Sequence, residues 1–169
     1  MSCESFSQEV FVRSTTADGE LKRISSFNDT LFEELLLVAP EYMSFKGAVT
    51  DRCVYNLASM FGSGDIGWDL GYDNLETTPY ESLEKYMHMS PANYVQNMHT
   101  PLLIIHSEQD LRCPIEQGEQ LFTALKWMGR EVRMVRFEGQ SHGLSRGGHP
   151  KLRLERLHHI RDWFAKYLK

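Results

Sequence analysis

The chain has 169 residues, of which 41% are hydrophobic and 24% charged, and its formal net charge is −5 at pH 7. This composition is typical of a globular domain and excludes collagen-like, disordered and low-complexity chains. The acidic balance argues against nucleic acid and anionic membrane surfaces as partners. No apolar run reaches the roughly 20 residues that a membrane-spanning helix needs.

The cysteines and the amino terminus indicate the compartment. Cys3, Cys53 and Cys113 are spread too widely for a zinc-binding spacing or a disulfide framework. The first ten residues lack the basic start and apolar stretch of a secretory signal. We therefore expect a cytoplasmic protein that needs no metal and no cofactor.

The first part of the chain predicts a β-hairpin. Residues Glu9–Ser14 alternate in polarity as a strand does, and Asp18-Gly19 is a turn signal before the second strand at Leu21–Ile24. Asn28 can cap a short helical segment, which Pro40 would end. This segment is too small to bury a core by itself.

From residue 46 onward the sequence alternates between strand and helix patterns. Ala48–Thr50 is a short apolar run that predicts a buried strand, and Asn56–Phe61 predicts a helix. Residues 62–79 contain four glycines and several aspartates, which predicts a long loop. Such a loop either lines a site or merely connects elements, and both interpretations stay open. Tyr80–Met89 predicts the next helix.

The last seventy residues carry the strongest pattern. Pro101–His106 is a continuous apolar strand of the kind that is buried on both faces of a parallel sheet. Pro114 opens a helix that Gly129 stops, and Glu131–Phe137 predicts a further strand. An amphipathic terminal helix follows, with apolar residues Leu157, Ile160, Trp163, Phe164 and Leu168. This order predicts an α/β fold with a parallel sheet and flanking helices.

Two predicted loops carry the candidate catalytic residues. Asp110 follows the apolar strand and His142 follows the next one, so neighbouring parallel strands would bring both side chains to one sheet edge. A carboxylate that accepts a hydrogen bond from imidazole Nδ1 leaves Nε2 to act as a base on a hydroxyl. In the alternative interpretation, Asp110 caps the following helix and His142 is a surface residue.

The residues around both positions resemble the prolyl oligopeptidase family, with acylaminoacyl-peptidase-like members nearest. The resemblance is carried by His106–Gln117, by Phe137–Arg146, by the ending from Glu155 to Leu168 and by Phe45–Arg52. It implies an α/β-hydrolase fold in which Asp110 is the triad acid and His142 the base. It also implies hydrolysis of short peptides or acylated amino-terminal residues through an acyl-enzyme.

The resemblance also implies a domain division. Residues 1–44 resemble the end of a propeller and its junction, and residues 45–169 resemble the C-terminal part of the peptidase domain. Family members place a nucleophile elbow between these parts, whereas here they join directly near residues 44–47. We therefore expect an incomplete α/β-hydrolase fold without a nucleophile elbow, inactive alone.

One serine matches a nucleophile pattern. Ser141 lies in a Gly-x-Ser-x-Gly string, but hydrolase triads run in the order serine, acid, histidine, and Ser141 follows the candidate acid. We therefore interpret the match as coincidence. The alternative to an enzyme is a non-catalytic fragment or partner-binding module, and its exposed sheet edges would favour self-association.

Four other features have mainly structural interpretations. His106 ends a buried strand, and Arg112 either pairs with a carboxylate or binds a peptide terminus. The pair His158-His159 lacks the i, i+4 spacing of a shared metal site. Gly62–Asp65 lacks the Gly-Lys-Ser/Thr continuation of a phosphate-binding loop.

Overall fold

The computed structural model describes residues 11–13, 21–23 and 45–168. Strands β1 (Phe11–Arg13) and β2 (Leu21–Arg23) pair antiparallel, which confirms the predicted hairpin. The helical segment predicted before Pro40 lies outside the described residues. The chain divides into two units, residues 1–43 and 44–169. The likeness of the first unit to a propeller end stays a prediction.

The second unit alternates strands and helices. Its elements are β3 (Ala48–Asp51), α1 (Leu57–Ser63), α2 (Gly67–Leu75), α3 (Leu83–Met89), a 3-10 helix (Pro91–Asn97), β4 (Leu102–Ser107), α4 (Ile115–Trp127), β5 (Val132–Phe137), α5 (Leu144–Gly147) and α6 (Pro150–Tyr167). Among the described residues, no helix is long and apolar enough to cross a bilayer. A cytoplasmic location stays a prediction.

The three strands β3, β4 and β5 form one parallel sheet in that order. Ala48 pairs with Leu102, and Leu102 pairs with Val132, so the strands start in register. The central strand β4 is buried from Leu103 to Ser107 because neighbours cover both its edges and both its faces. That position explains the apolar run from Leu102 to Ile105 in this strand. β3 is a strand as predicted but only half-buried.

Hydrophobic clusters cover both faces of this sheet. On one face, Ile104 packs with Leu121 and Leu125 of α4. On the other face, Leu103 and Ile105 pack with residues that include Trp163 of α6. Alternate side chains of β4 therefore enter opposite cores, which fixes the helices on the two faces of the sheet.

The helix boundaries follow local chemistry. The Asn56 side chain accepts a hydrogen bond from Ser59 N at 3.2 Å and caps α1. After α4, Gly129 takes a φ of +67°, a left-handed conformation that glycine adopts without steric cost. The stop at Gly129 agrees with the sequence-based prediction, whereas α1 begins one residue after the predicted Asn56 and runs to Ser63.

The prediction of a loop over residues 62–79 is wrong, because α2 lies inside it. The glycines there permit close packing rather than disorder of the backbone. A Cβ added at Gly67 would lie 1.9 Å from the Met60 carbonyl oxygen, and one at Gly71 would lie 2.7 Å from the Tyr86 hydroxyl. Tertiary contact thus outweighs the low helix propensity of glycine.

Two predicted helices need smaller corrections. The helix predicted from Tyr80 begins only at Leu83, because residues 78–82 form a turn in which Ser82 N donates to the Thr78 carbonyl. In α6, Ile160 and Trp163 pack on the sheet as predicted. Leu157 and Leu168 are instead 53% and 64% exposed, because α6 packs on the sheet through buried Trp163 and the partly buried Leu152, Ile160 and Tyr167.

Candidate active site

The candidate site lies where β4 and β5 end. The acid loop (residues 108–114) follows β4, and the histidine loop (residues 138–143) follows β5. Backbone hydrogen bonds join the loops, since Glu108 N donates to Phe137 O at 3.1 Å and Gln109 N donates to Gln140 O at 2.9 Å. The parallel register therefore presents both loops at one edge of the sheet.

Asp110 lies within the acid loop and is buried, with 2% of its surface exposed. Its Oδ1 accepts hydrogen bonds from Arg112 N at 3.0 Å and Cys113 N at 2.9 Å. Its Oδ2 lies 2.9 Å from His142 Nδ1. Asp110 thus does both things that the sequence left open: Oδ1 holds the turn before α4, and both oxygens face the imidazole, since Oδ1 also lies 3.1 Å from Nδ1.

His142 is the partner that the structure brings to Asp110. Nδ1 donates to the carboxylate, which fixes the tautomer with Nε2 as the proton acceptor. The side chain is 30% exposed, so the ring is open to solvent while the carboxylate is not. Within the described part of the chain, no side chain forms a hydrogen bond with Nε2. This nitrogen is therefore available as a base.

His106 is structural, as predicted. It is fully buried, and its Nε2 donates to the Cys113 carbonyl oxygen at 2.7 Å. The same nitrogen lies 3.8 Å from Asp110 Oδ2. The His106 imidazole, which belongs to β4, therefore holds the acid loop at Cys113.

Arg112 forms an ion pair with Asp65, with Nε 2.7 Å from Oδ1 and Nη2 3.3 Å from Oδ2. This confirms the carboxylate-pairing interpretation of Arg112. The hydrogen bond from Arg112 lowers the pKa of Asp65, and the charge of the guanidinium lowers it further. The pair links the acid loop to the segment between α1 and α2, because Asp65 N also donates to Leu111 O at 2.7 Å.

Ser141 is exposed, and in the described residues its hydroxyl makes no hydrogen bond with His142. Its carbonyl accepts from Leu144 N at 3.1 Å, which forms the turn into α5. The structure does not bring this hydroxyl to the base.

The other candidates show structural contacts. His159 Nε2 lies 3.8 Å from Glu155 on α6, and His158 is exposed. Gly62 and the serine after it end α1, so Gly62–Asp65 does not form a separate loop. No group of three or more potential metal ligands occurs among the described residues. Burial raises the pKa of the Cys113 thiol to about 11, which makes it a poor nucleophile.

Sequence reasoning missed Arg52, which follows β3. Its Nη1 donates to the His142 carbonyl oxygen at 3.1 Å, across 90 positions of sequence. No local signal reveals this contact, because an arginine after an apolar strand is common at a protein surface.

Comparison with known proteins agrees with this geometry. A model of the prolyl oligopeptidase family matches residues 35–169. The chain is 51% identical over 124 residues to "Uncharacterized peptidase YuxL" of Bacillus subtilis (strain 168), covering 73% of this chain and 19% of that protein. It is 34% identical over 146 residues to "Acylamino-acid-releasing enzyme" of Arabidopsis thaliana, covering 82% and 18%.

A solved structure shows the same fold. Pyrococcus horikoshii acylaminoacyl peptidase superposes with a TM-score of 0.72 at 28% identity, covering 82% of this chain and 22% of that one. The parallel sheet with helices on both faces is thus part of an α/β-hydrolase fold. The chain spans about a fifth of the length of each of these relatives.

Proposed function

Because this chain belongs to the prolyl oligopeptidase family, we propose that residues 45–169 form the C-terminal part of a serine-type peptidase domain, with Asp110 as acid and His142 as base. The observation that carries the proposal is the 2.9 Å contact between His142 Nδ1 and Asp110 Oδ2. The substrates are short peptides or acylated amino-terminal residues. The name of the Arabidopsis thaliana relative supports that substrate class.

The two side chains divide the proton chemistry. His142 Nε2 takes the proton of a serine hydroxyl as its oxygen attacks the scissile carbonyl. The buried carboxylate of Asp110 stabilises the imidazolium that forms. The imidazolium then protonates the leaving amine and an acyl-enzyme remains. Water, deprotonated by the same nitrogen, hydrolyses this ester.

We propose that the attacking hydroxyl is absent from this sequence. Ser141 is adjacent to His142 and follows the acid, which is the wrong order for a hydrolase nucleophile. The donor that normally follows the nucleophile and stabilises the oxyanion is then missing too. The chain alone should therefore hydrolyse substrates orders of magnitude more slowly than a complete triad does.

A chimera tests the acid and base. Residues 45–169 would replace the matching segment of the Bacillus subtilis relative, whose own upstream part then supplies the nucleophile segment. We expect hydrolysis of acetylated amino-acid anilides comparable to that of the unmodified relative. Asp110→Asn should lower kcat by about 10⁴-fold and His142→Ala by about 10⁶-fold. An active chimera that tolerates both substitutions would contradict the assignment.

A fluorophosphonate probe, which labels activated serines covalently, tests the missing nucleophile. We expect no labelling of the chain alone and labelling of the chimera. Labelling of the chain alone that disappears in Ser141→Ala would overturn our interpretation of Ser141.

The outer edge of β3 favours a second function, self-association of the chain. Within the described residues, β3 pairs only with β4, so its outer edge has no strand partner. Phe45, Leu154 and Leu157 are each more than half exposed. Unpaired edges and apolar surface favour contact with a second copy. A concentration-dependent dimer in sedimentation would support this binding role, whereas a monomer at all concentrations would exclude it.

A further inference from the structure

We propose that Arg52 is a positioning residue for the acid–base pair: its guanidinium holds the backbone of the histidine loop so that the His142 imidazole stays against Asp110. The contact that points to this role is the 3.1 Å hydrogen bond from Arg52 Nη1 to the His142 carbonyl oxygen. The inference rests on the function proposed above for Asp110 and His142.

The backbone of Arg52 supports a positioning role. Arg52 N still donates to Ile105 O at 3.0 Å, so the residue continues the ladder between β3 and β4. Its φ is +58°, a left-handed conformation that a residue with a side chain rarely adopts. Such strain persists only where surrounding contacts hold it, and it concentrates at functional sites.

The restraints on His142 show what this hydrogen bond adds. Among the described residues, the side chain of His142 is hydrogen-bonded only to Asp110, and its carbonyl is held by Arg52. In the described part of the chain, the backbone hydrogen bonds from the acid loop to the histidine loop reach only as far as Gln140. Arg52, which directly follows β3, therefore holds the backbone at His142 itself.

The neighbouring charged groups leave the Arg52 guanidinium available to bind the His142 carbonyl oxygen. Arg52 Nε lies 3.9 Å from Asp51 Oδ1, which is too long for a hydrogen bond. Asp51 is instead bound by Arg156 of α6, with Nε 2.7 Å from Oδ2. The side chain of Arg52 is 26% exposed, so the contact is partly shielded from water. Arg156 thus binds Oδ2 of Asp51, and Arg52 keeps only a long ion pair with Oδ1.

The test measures the His142 Nδ1 proton directly in the whole 169-residue chain. Proton NMR detects this proton when it is hydrogen-bonded to the carboxylate, and its exchange with water reports how often that bond opens. We expect Arg52→Ala to raise the exchange rate at least about tenfold, the equivalent of one hydrogen bond to a charged group. Arg52→Lys, which keeps one charged donor, should lie between wild type and Arg52→Ala.

Two further variants separate positioning from folding. Arg52→Gly removes the guanidinium but relieves the left-handed strain, so it should fold at least as stably as wild type and still show fast exchange. Arg146→Ala removes an exposed arginine of α5 and should behave as wild type. Wild-type exchange in Arg52→Gly would overturn the positioning role of Arg52.

A third variant tests the pair on which the inference rests. Asp110→Asn should remove the protected proton altogether, because the carboxylate acceptor is lost. Retention of that proton in Asp110→Asn would instead overturn the proposed pair. The two failures are therefore distinguishable.

Discussion

Replacing Gln117 by Leu should destabilise the fold severely although it removes no charge. Gln117 is fully buried, and its Oε1 accepts from Tyr55 N at 2.8 Å and from Asn56 N at 2.7 Å. Its Nε2 donates to Asn56 O at 3.2 Å and to Glu116 Oε1 at 2.6 Å. One amide thus satisfies the backbone that runs from β3 into α1.

The magnitude follows from the two orphaned backbone donors. Leaving a buried donor unpaired costs about 1–3 kcal/mol, so two of them give a loss of about 2–6 kcal/mol. Leucine keeps the volume of glutamine, which limits packing changes. In urea, an m-value of about 2 kcal/mol/M converts this loss to a midpoint shift of about 1–3 M.

Gln120→Leu is the matched control. Gln120 is half-buried in the same helix, and among the described residues its side chain bonds only to other side chains, including Asn56 Nδ2 at 3.1 Å. It should lose about 1 kcal/mol or less, because water can replace those partners. Equal losses in Gln117→Leu and Gln120→Leu, or a loss below about 1 kcal/mol in Gln117→Leu, would refute the reasoning.

Three further predictions concern packing, reactivity and pH. Gly118→Ala should lower stability by about 1–3 kcal/mol in urea unfolding, since the added Cβ would lie 2.8 Å from a buried histidine nitrogen. Gly62→Ala, where no atom lies within 4 Å, should instead gain about 0.5–1 kcal/mol, and equal signs would contradict this. Burial raises the pKa of Cys53 to about 12, so at pH 8 its thiol should react with a disulfide reagent only on unfolding. Mass spectrometry of the labelled peptide checks this. Rapid labelling of the native protein would contradict it. The hydrogen bond from Arg112 lowers the pKa of Asp65, so its stabilisation is present above the ordinary value of 3.8 and lost as pH falls below it. The difference in urea midpoint between wild type and Asp65→Asn should therefore be largest at pH 6 and shrink steadily as the pH falls below 3.8, and a difference that does not change with pH would contradict the assignment.

The sequence revealed the central strand and the two candidate catalytic residues. The apolar run from Leu102 to Ile105 predicts a strand covered on both faces, and the burial of Leu103–Ile105 between two hydrophobic clusters confirms it. Asp110 and His142 could be found because each follows such a strand, and parallel strands end at one edge of a sheet. Their meeting therefore depends on topology, which alternating strand and helix patterns already imply.

Other features depend on contacts that no local pattern records. The glycines of α2 predict a loop by propensity, yet Gly71 lies against the hydroxyl of Tyr86, where a larger residue could not fit. The contact of Arg52 with His142 spans 90 positions and requires a left-handed residue at the end of β3.

The sequence by itself thus determined which segments are apolar enough to be buried and which polar groups come directly after them. Both are visible in the pattern and composition of a few consecutive residues. Only the packed structure decided which distant groups meet, such as Arg52 and His142. Those contacts form only when helices and strands pack together. The free energy of each contact depends on a partner that lies far away in the sequence.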